Sequence, residues 1–464
     1  MPAAVGAGAP GPWAGLRRVA ARSWAQDRLA LALLGLSSLV HTVAWRAITR
    51  PMGDSVSYRA AAQTIFSGGW GSVTDRTPGY PALLWLTGSV ERETRVLFAV
   101  QLVLHVVAVL GVLDLARLCG LGRRGRLVVV AALVSPPVMV NVALSGTEVL
   151  SEVLLVAVAW CGVRGVRAES RLLLGSAGTA LALSALVRPS HQLLWLPVSW
   201  VVWRGLRRAD GRARGGAGLR PGRGVALVTM PAVLAVGALI TFNAVRFDSP
   251  SMTPMTAWHL STRTSGYVED LPASEEPARS ALIRSRNERL LNHEEHRATD
   301  YAFRLRDDLR GITGMDDREL DRYMLRLDLM LISGNPFGYL GAVLDALVLH
   351  IGFNSNGAAF AGSPFLGQLT MGVHWVLVTV SAVALVGLAG LALAGRFRDR
   401  RGSPVLMAAV IVVWSAAVAC ATEIGAPRVR SPTDPLIVLL VVVGLATLRR
   451  ERRISRDLKQ PVPP

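Results

Sequence analysis

Uncharged runs of roughly 17–25 residues recur along this chain, each long enough to cross the ~30 Å hydrocarbon core of a bilayer as a helix. Leu97–Leu113, Leu127–Thr147, Val225–Val245, Leu369–Gly395 and Val405–Thr422 are examples. A chain of 464 residues would otherwise suggest two or three soluble domains. With 51% apolar residues and a mean hydropathy of +0.40, the runs instead exclude a soluble enzyme, a disordered chain and a secreted disulfide scaffold. Cys119, Cys161 and Cys420 are an odd set, at least two of them inside apolar runs, and read as small buried hydrophobes.

The fold class predicted is an all-α polytopic membrane protein. Its spans fall at about 28–47, 96–116, 127–145, 148–166, 172–187, 191–204, 224–245, 369–395, 404–422 and 435–448. Residues 336–353 are apolar enough for an eleventh, but read better as a helix in the interface, because Asp345 and His350 suit lipid poorly. The first span reads as uncleaved, since no small-residue cleavage site follows it.

Charge sets the orientation. Lys+Arg is 50 against 32 Asp+Glu, a net +18. Such a balance suits nucleic acid, but here the cations sit in short clusters between apolar runs, as in cytoplasmic loops. Arg123, Arg124 and Arg126, the stretch Arg204–Arg223, Arg396–Arg401 and Arg449–Arg456 all fall on one side. The positive-inside rule therefore places both termini in the cytoplasm of a plasma-membrane protein, with membrane lipids and no nucleic acid as partners. Three regions follow. Residues 1–245 form an N-terminal transmembrane module with a long first outer loop, 46–95. Residues 246–367 form an extracytoplasmic cap and interfacial helix. Residues 368–464 carry the last spans and a basic tail. Within the cap, Ser280–Asp308 and Asp317–Ser333 read as charged helices without a continuous apolar core.

The first outer loop is the most informative stretch. Asp54 lies just past the first span, Ser57–Phe66 reads as a short amphipathic helix, and Arg76-Thr77-Pro78-Gly79-Tyr80-Pro81 is a turn into an apolar stretch. Asp54, Asp75, Arg76, Glu148, Glu152, Arg188, Arg428 and Arg430 all fall near outer ends of spans. Ionisable groups there are costly unless paired and so mark a pathway or a site. Glu148 and Glu152 share one helix face. Bland roles compete: Asp54 as a helix N-cap, Arg188 and Arg428 reaching to headgroups, Glu148 paired with an interhelical arginine. Glu423 and Asp434 read as helix-end groups. His259, His293 and His296 lack metal-ligand spacing, so no metal is assigned. No Gly-x-Gly-x-x-Gly or Gly-Lys-Ser/Thr motif is present, which disfavours a nucleotide-sugar donor.

An acid after the first span with Tyr58 four residues on, a helix ending in glycine and the Arg76–Pro81 turn together resemble the polytopic GT-C glycosyltransferases, such as protein O-mannosyltransferases and bacterial aminoarabinose transferases. Ser135-Pro136 followed by Thr147-Glu148-Val149-Leu150, then Leu186-Val187-Arg188-Pro189, Asn335-Pro336-Phe337-Gly338-Tyr339-Leu340 and Arg428-Val429-Arg430-Ser431-Pro432 extend the likeness in order along the chain. Ser55 stands where many relatives carry a second acid, and Val429 where they carry an aromatic residue.

The resemblance implies a GT-C-like fold and transfer of a sugar, mannose or arabinose, from a polyprenyl-phosphate donor to an acceptor glycan, lipid or peptide on the extracytoplasmic face. No cofactor is assigned, and a divalent cation is compatible with it. Asp54 would be the catalytic base. Arg188, Arg428 and Arg430 would hold the donor phosphate. Tyr58, Arg76, Tyr80, Glu148 and Glu152 would bind or orient substrate. A multi-span transporter or lipid flippase is the alternative. It would need charges near the midplane and helices broken in paired positions, but only Pro136-Pro137 clearly breaks a span.

Overall fold

The computed structural model describes residues 26–210, 219–291, 301–351, 402–422 and 427–457. Among these the chain is all-α, its only β element a lone bridge between Arg50 and Leu144. Every predicted span has a helix at its place except 369–395, which lies outside the described residues.

The membrane bundle comprises α1 (Arg28–Ala44), then α2 (Ser55–Ala62) and α3 (Gly79–Leu86) in the first loop, and α4 (Arg95–Leu118), α5 (Arg123–Leu133), α6 (Glu148–Ala168), α7 (Arg171–Val187), α8 (Trp195–Asp210) and α9 (Pro221–Phe247). Among the described residues, five helices are long and apolar enough to cross a bilayer: Arg95–Leu118, Glu148–Ala168, Pro221–Phe247, Pro404–Thr422 and Arg428–Arg450; α1 and α7 are shorter apolar helices. The span predicted at 127–145 is bent by 49° between α5 and Pro136–Ala143. Pro136 and Pro137 remove two backbone donors and restart the helix in a new direction.

Local chemistry sets the helix starts. The Thr94 hydroxyl accepts from the Leu97 N–H at 3.1 Å and caps α4; Ser170 does the same for α7 through Leu173. Helix α6 runs through the centre, its buried Leu155, Val158, Ala159 and Val163 packing within one apolar core with residues of α4, α7, α8 and α9. Gly178 on α7 lies so close to α9 that a Cβ would stand 2.4 Å from the Leu227 carbonyl, so this helix pair is joined backbone to backbone.

The cap contains α10 (Met255–Thr264), α11 (Ala278–Leu291), two short helices at Tyr301–Arg304 and Arg306–Thr313, and α12 (Asp317–Gly334). Contrary to the sequence expectation, it has a continuous apolar core: Trp258, Leu282, Tyr301, Leu309, Leu320, Met324, Leu327 and Leu331 are all buried together. Leu320, Met324, Leu327 and Leu331 recur at helical spacing on one face of α12. The acids and arginines between them mask that stripe in a hydropathy average.

Asn335 ends α12, and its side-chain oxygen accepts from the Gly338 N–H at 2.8 Å, opening α13 (Pro336–Ile351) at 104° to α12. Tyr339 on α13 donates to the Ala421 carbonyl at 2.8 Å and ties it to α14 (Gly402–Thr422). The last helix, α15, spans Asp434–Asp457.

Candidate active site

The charged residues singled out in the first loop, α6, the end of α7 and the entry to α15 converge. Arg76 Nη2 lies 3.3 Å from Asp54 Oδ1, and the other Asp54 oxygen accepts from Arg428. Arg428 Nε in turn lies 3.0 Å from Glu148 Oε1, which also receives Arg188 Nη2 at 3.1 Å. The result is one chain, Arg76–Asp54–Arg428–Glu148–Arg188. Side-chain exposure falls from 32% at Asp54 to 2% at Glu148, so one end of the chain is open and the other lies within the protein.

Each member is held by its own element. Asp54 occupies the position before α2, yet its carboxylate makes no cap. The Ser55 hydroxyl instead accepts from the Met52 N–H and donates to the Ser145 carbonyl, both at 2.8 Å. The Asp54 carboxylate is thereby left for the arginines. Arg76 donates through Nε to the Ser57 hydroxyl at 2.9 Å and lies 4.7 Å over the Tyr58 ring. Glu148 opens α6, where the helix dipole favours a carboxylate.

Arg188, just past α7, is saturated. It donates to Thr147 Oγ1 at 2.8 Å, to Glu148, and to the Val429 carbonyl at 3.1 Å. Glu148 Oε2 is buried with no hydrogen-bond partner among the described residues. Gly146 allows this packing, since a Cβ there would stand 2.1 Å from that oxygen and 2.4 Å from the Met52 sulfur.

Three predicted site residues lie elsewhere. Tyr80 is fully buried and meets the edge of Tyr58 at 5.1 Å between ring centres, so it backs Tyr58 from inside the protein. Glu152, one turn along α6, pairs with His105 of α4 at 2.9 Å in full burial. Arg430 donates through Nη1 to the carbonyls of His350 and Ile351, both at 2.8 Å, and through Nε to Asp434 at 2.9 Å. It closes the C-terminus of α13. Thr147, Ser57 and the Val429 carbonyl support the charged chain, and the sequence reading gave none of them a site role. Thr147 carries the one usable signal, its place next to Glu148.

Burial of the Asp54 carboxyl opposes its ionisation, but the charges of Arg428 and Arg76, the hydrogen bond from Arg428 and the nearby His259 of the cap outweigh it and hold its pKa down at about 2. The cap meets the first loop close by. Arg306 lies 3.4 Å from Asp75 and 3.5 Å from Asp321, and its guanidinium sits 5.5 Å from the Trp258 ring centre.

No group of three or more metal-binding side chains occurs among the described residues. The two carboxylates nearest each other through Arg428 are both already engaged by guanidinium groups.

No protein-family model matches the chain, and no curated protein matches it in sequence. Among solved structures, 94% of the chain aligns with each of two from Archaeoglobus fulgidus. One is the oligosaccharyltransferase AglB in complex with an inhibitory peptide and a dolichol-phosphate, at 13% identity and a TM-score of 0.46. The other is an oligosaccharyltransferase tethered via a disulfide bond to an acceptor peptide containing the NVT sequon, at 12% identity and a TM-score of 0.41. The chain spans about half the length of these structures, 52% of each. The chemistry of the site has to be read from its own side chains.

Proposed function

We propose that this chain is a membrane glycosyltransferase that moves a sugar, mannose or arabinose, from a polyprenyl-phosphate donor to an acceptor hydroxyl on the extracytoplasmic face. The observation that carries the proposal is Arg428, shared between Asp54 at the open end of the charged chain and Glu148 at the buried end. Three arginines against two carboxylates leave the chain with one net positive charge. That matches the single negative charge of a phosphodiester-linked sugar. Guanidinium groups bind such oxygens through paired donors.

The partly exposed Arg428 and Arg76 are the cations available to the donor phosphate, whereas Arg188 fixes Glu148. In transfer, the acceptor oxygen attacks the anomeric carbon as the bond from that carbon to the phosphate oxygen breaks. The phosphate leaves with the electron pair, and the acceptor's proton passes to Asp54. Attack opposite the leaving group inverts the anomeric configuration. Asp54 is a weak base while two arginines hold it. A phosphate that draws Arg428 toward itself weakens the stronger of the two interactions that hold Asp54 ionised and makes Asp54 more basic as the donor arrives. Glu148, with one buried oxygen unpaired, anchors Arg428 through this exchange and can accept from a sugar hydroxyl.

Purified full-length protein given a radiolabelled polyprenyl-phosphate sugar tests the proposal. Transfer to an added hydroxyl acceptor, or slow release of free sugar, is the expected result. Movement of the intact lipid-linked sugar across proteoliposomes with neither would support the transporter reading instead.

A further inference from the structure

An apolar groove of about 1050 Å³ runs between α7 and α9, away from the charged chain. Its walls are Leu172, Leu183, Met230 and the face of Gly175, and Leu172, Leu183 and Met230 are each more than two-fifths exposed. Arg171 and Arg223 line the groove at the N-terminal starts of α7 and α9. Neither forms an ion pair with another described residue. Arg188 follows the opposite end of α7, so these two cations lie about 25 Å from the candidate active site. From Arg171 to Leu183 the groove runs along twelve helical steps, or about 18 Å. That is close to one leaflet's half of the ~30 Å hydrocarbon core.

An apolar channel one leaflet long, open to the side and carrying two cations at its end remote from the candidate active site, has the layout of a lipid: acyl chains against the helices, an anionic headgroup at the arginines. We propose that this groove is a site for an anionic phospholipid of the leaflet opposite the candidate active site. Charge complementarity selects the headgroup, and groove length selects a leaflet lipid over a polyprenyl tail descending from Asp54. The proposal is independent of the catalytic reading. Gly175 gives it a handle, because nothing lies within 4 Å of where its Cβ would stand. A bulky side chain there fills the groove without displacing the helices.

Native mass spectrometry of the full-length protein, delipidated in detergent and exposed to phosphatidylglycerol or to phosphatidylcholine of the same chains, tests the site. Retention of phosphatidylglycerol at least five-fold above phosphatidylcholine is expected. Arg171→Gln with Arg223→Gln should equalise the two, and Gly175→Phe should lower both. Soluble glycerol phosphate should not bind at concentrations that saturate the lipid. Equal retention of both lipids by the unaltered protein would overturn the proposal. So would glycerol phosphate binding as well as the lipid, which would mean a site for a free anion. Displacement of phosphatidylglycerol by a polyprenyl phosphate without effect of the arginine substitutions would also overturn it, by assigning the groove to the donor's tail. If the double arginine variant does not fold, Gly175→Phe decides alone: unchanged phosphatidylglycerol retention rejects the groove.

Discussion

Two clusters of aspartate and arginine stand at opposite ends of the helix bundle and are built to different ends. At one, Asp27 is buried at the start of α1. Both its oxygens are taken, one by Arg117 at 2.9 and 2.8 Å and the other by Arg126 at 2.9 Å, and Arg126 also donates to the Leu121 carbonyl. At the other, Asp54 is a third exposed, and its main partner Arg428 is divided between two carboxylates. The residue types are the same. The first cluster is closed and ties α1, α4 and α5 together. The second is open at one end, carries an excess cation and leaves a buried carboxylate oxygen unpaired. Saturation marks a structural ion cluster, and an unfinished one with access to solvent marks a place for a ligand.

That contrast breaks first, and most heavily, on Asp54→Asn. The amide keeps the size and the hydrogen bond from Arg428 but takes no proton. Turnover should fall by about 10²–10⁴-fold at saturating donor, the usual contribution of a general base, with little change in melting temperature. Retention of more than a third of wild-type turnover would make Asp54 a structural partner only, and Glu148 would be the next base to examine.

Asp27→Ala should invert the pattern. It leaves Arg117 and Arg126 facing each other in a buried place, at a cost of about 3–5 kcal/mol for breaking one side of a buried pair. Thermal unfolding in detergent should shift clearly downward. Activity per folded molecule should stay near wild type. A loss of turnover without a loss of stability would mean that the two ends are coupled, against the division drawn here.

Arg428→Ala sharpens the comparison from the ligand side. Losing a charged hydrogen bond to the donor phosphate costs about 1.5–3 kcal/mol, so KM for the donor should rise on the order of tenfold or more. Initial rates against donor concentration separate this from the Asp54 effect, which falls on kcat. Arg430→Ala should leave donor affinity unaltered, because Arg430 is spent on the carbonyls that end α13.

The bundle was legible because apolar runs of span length leave few alternatives, and the charged chain was legible because its members interrupt those runs at their ends. Asp54, Arg76, Glu148, Arg188 and Arg428 all meet on that basis alone. What stayed hidden depends on partners far away in sequence. Glu152 shares a face with Glu148, but a step of four residues moves it about 6 Å along the helix. There it meets His105, 47 residues distant and embedded in an apolar run that gives no hint of it. Arg430 stands two residues from Arg428, yet its neighbours are carbonyls of α13, 79 and 80 residues earlier. The core of the cap was hidden differently: its apolar stripe on α12 is regular, but it is only one residue in three or four among charges.

The smallest expected effect lies in that cap and concerns pH. Asp328 is buried on α12, where Ser261 donates to one oxygen at 2.9 Å and Thr264 to the other at 2.7 Å. Burial pushes its carboxyl up to about 7, because two hydroxyl donors do not replace the water lost by a charge. A carboxyl raised in the folded state binds its proton more tightly there than in the unfolded chain. Its stabilising effect is therefore complete below the ordinary value of 3.8 and is lost as pH rises through about 7. Amide exchange along α10 and α12 in the full-length protein, corrected for intrinsic rates, should show stronger protection at pH 5 than at pH 8. Asp328→Asn keeps acceptors for Ser261 and Thr264 without a charge, and should remove that difference. A cap whose protection is equal at the two pH values in the unaltered protein would mean that Asp328 is solvated well enough to ionise in place. The two hydroxyls would then be stabilising a carboxylate.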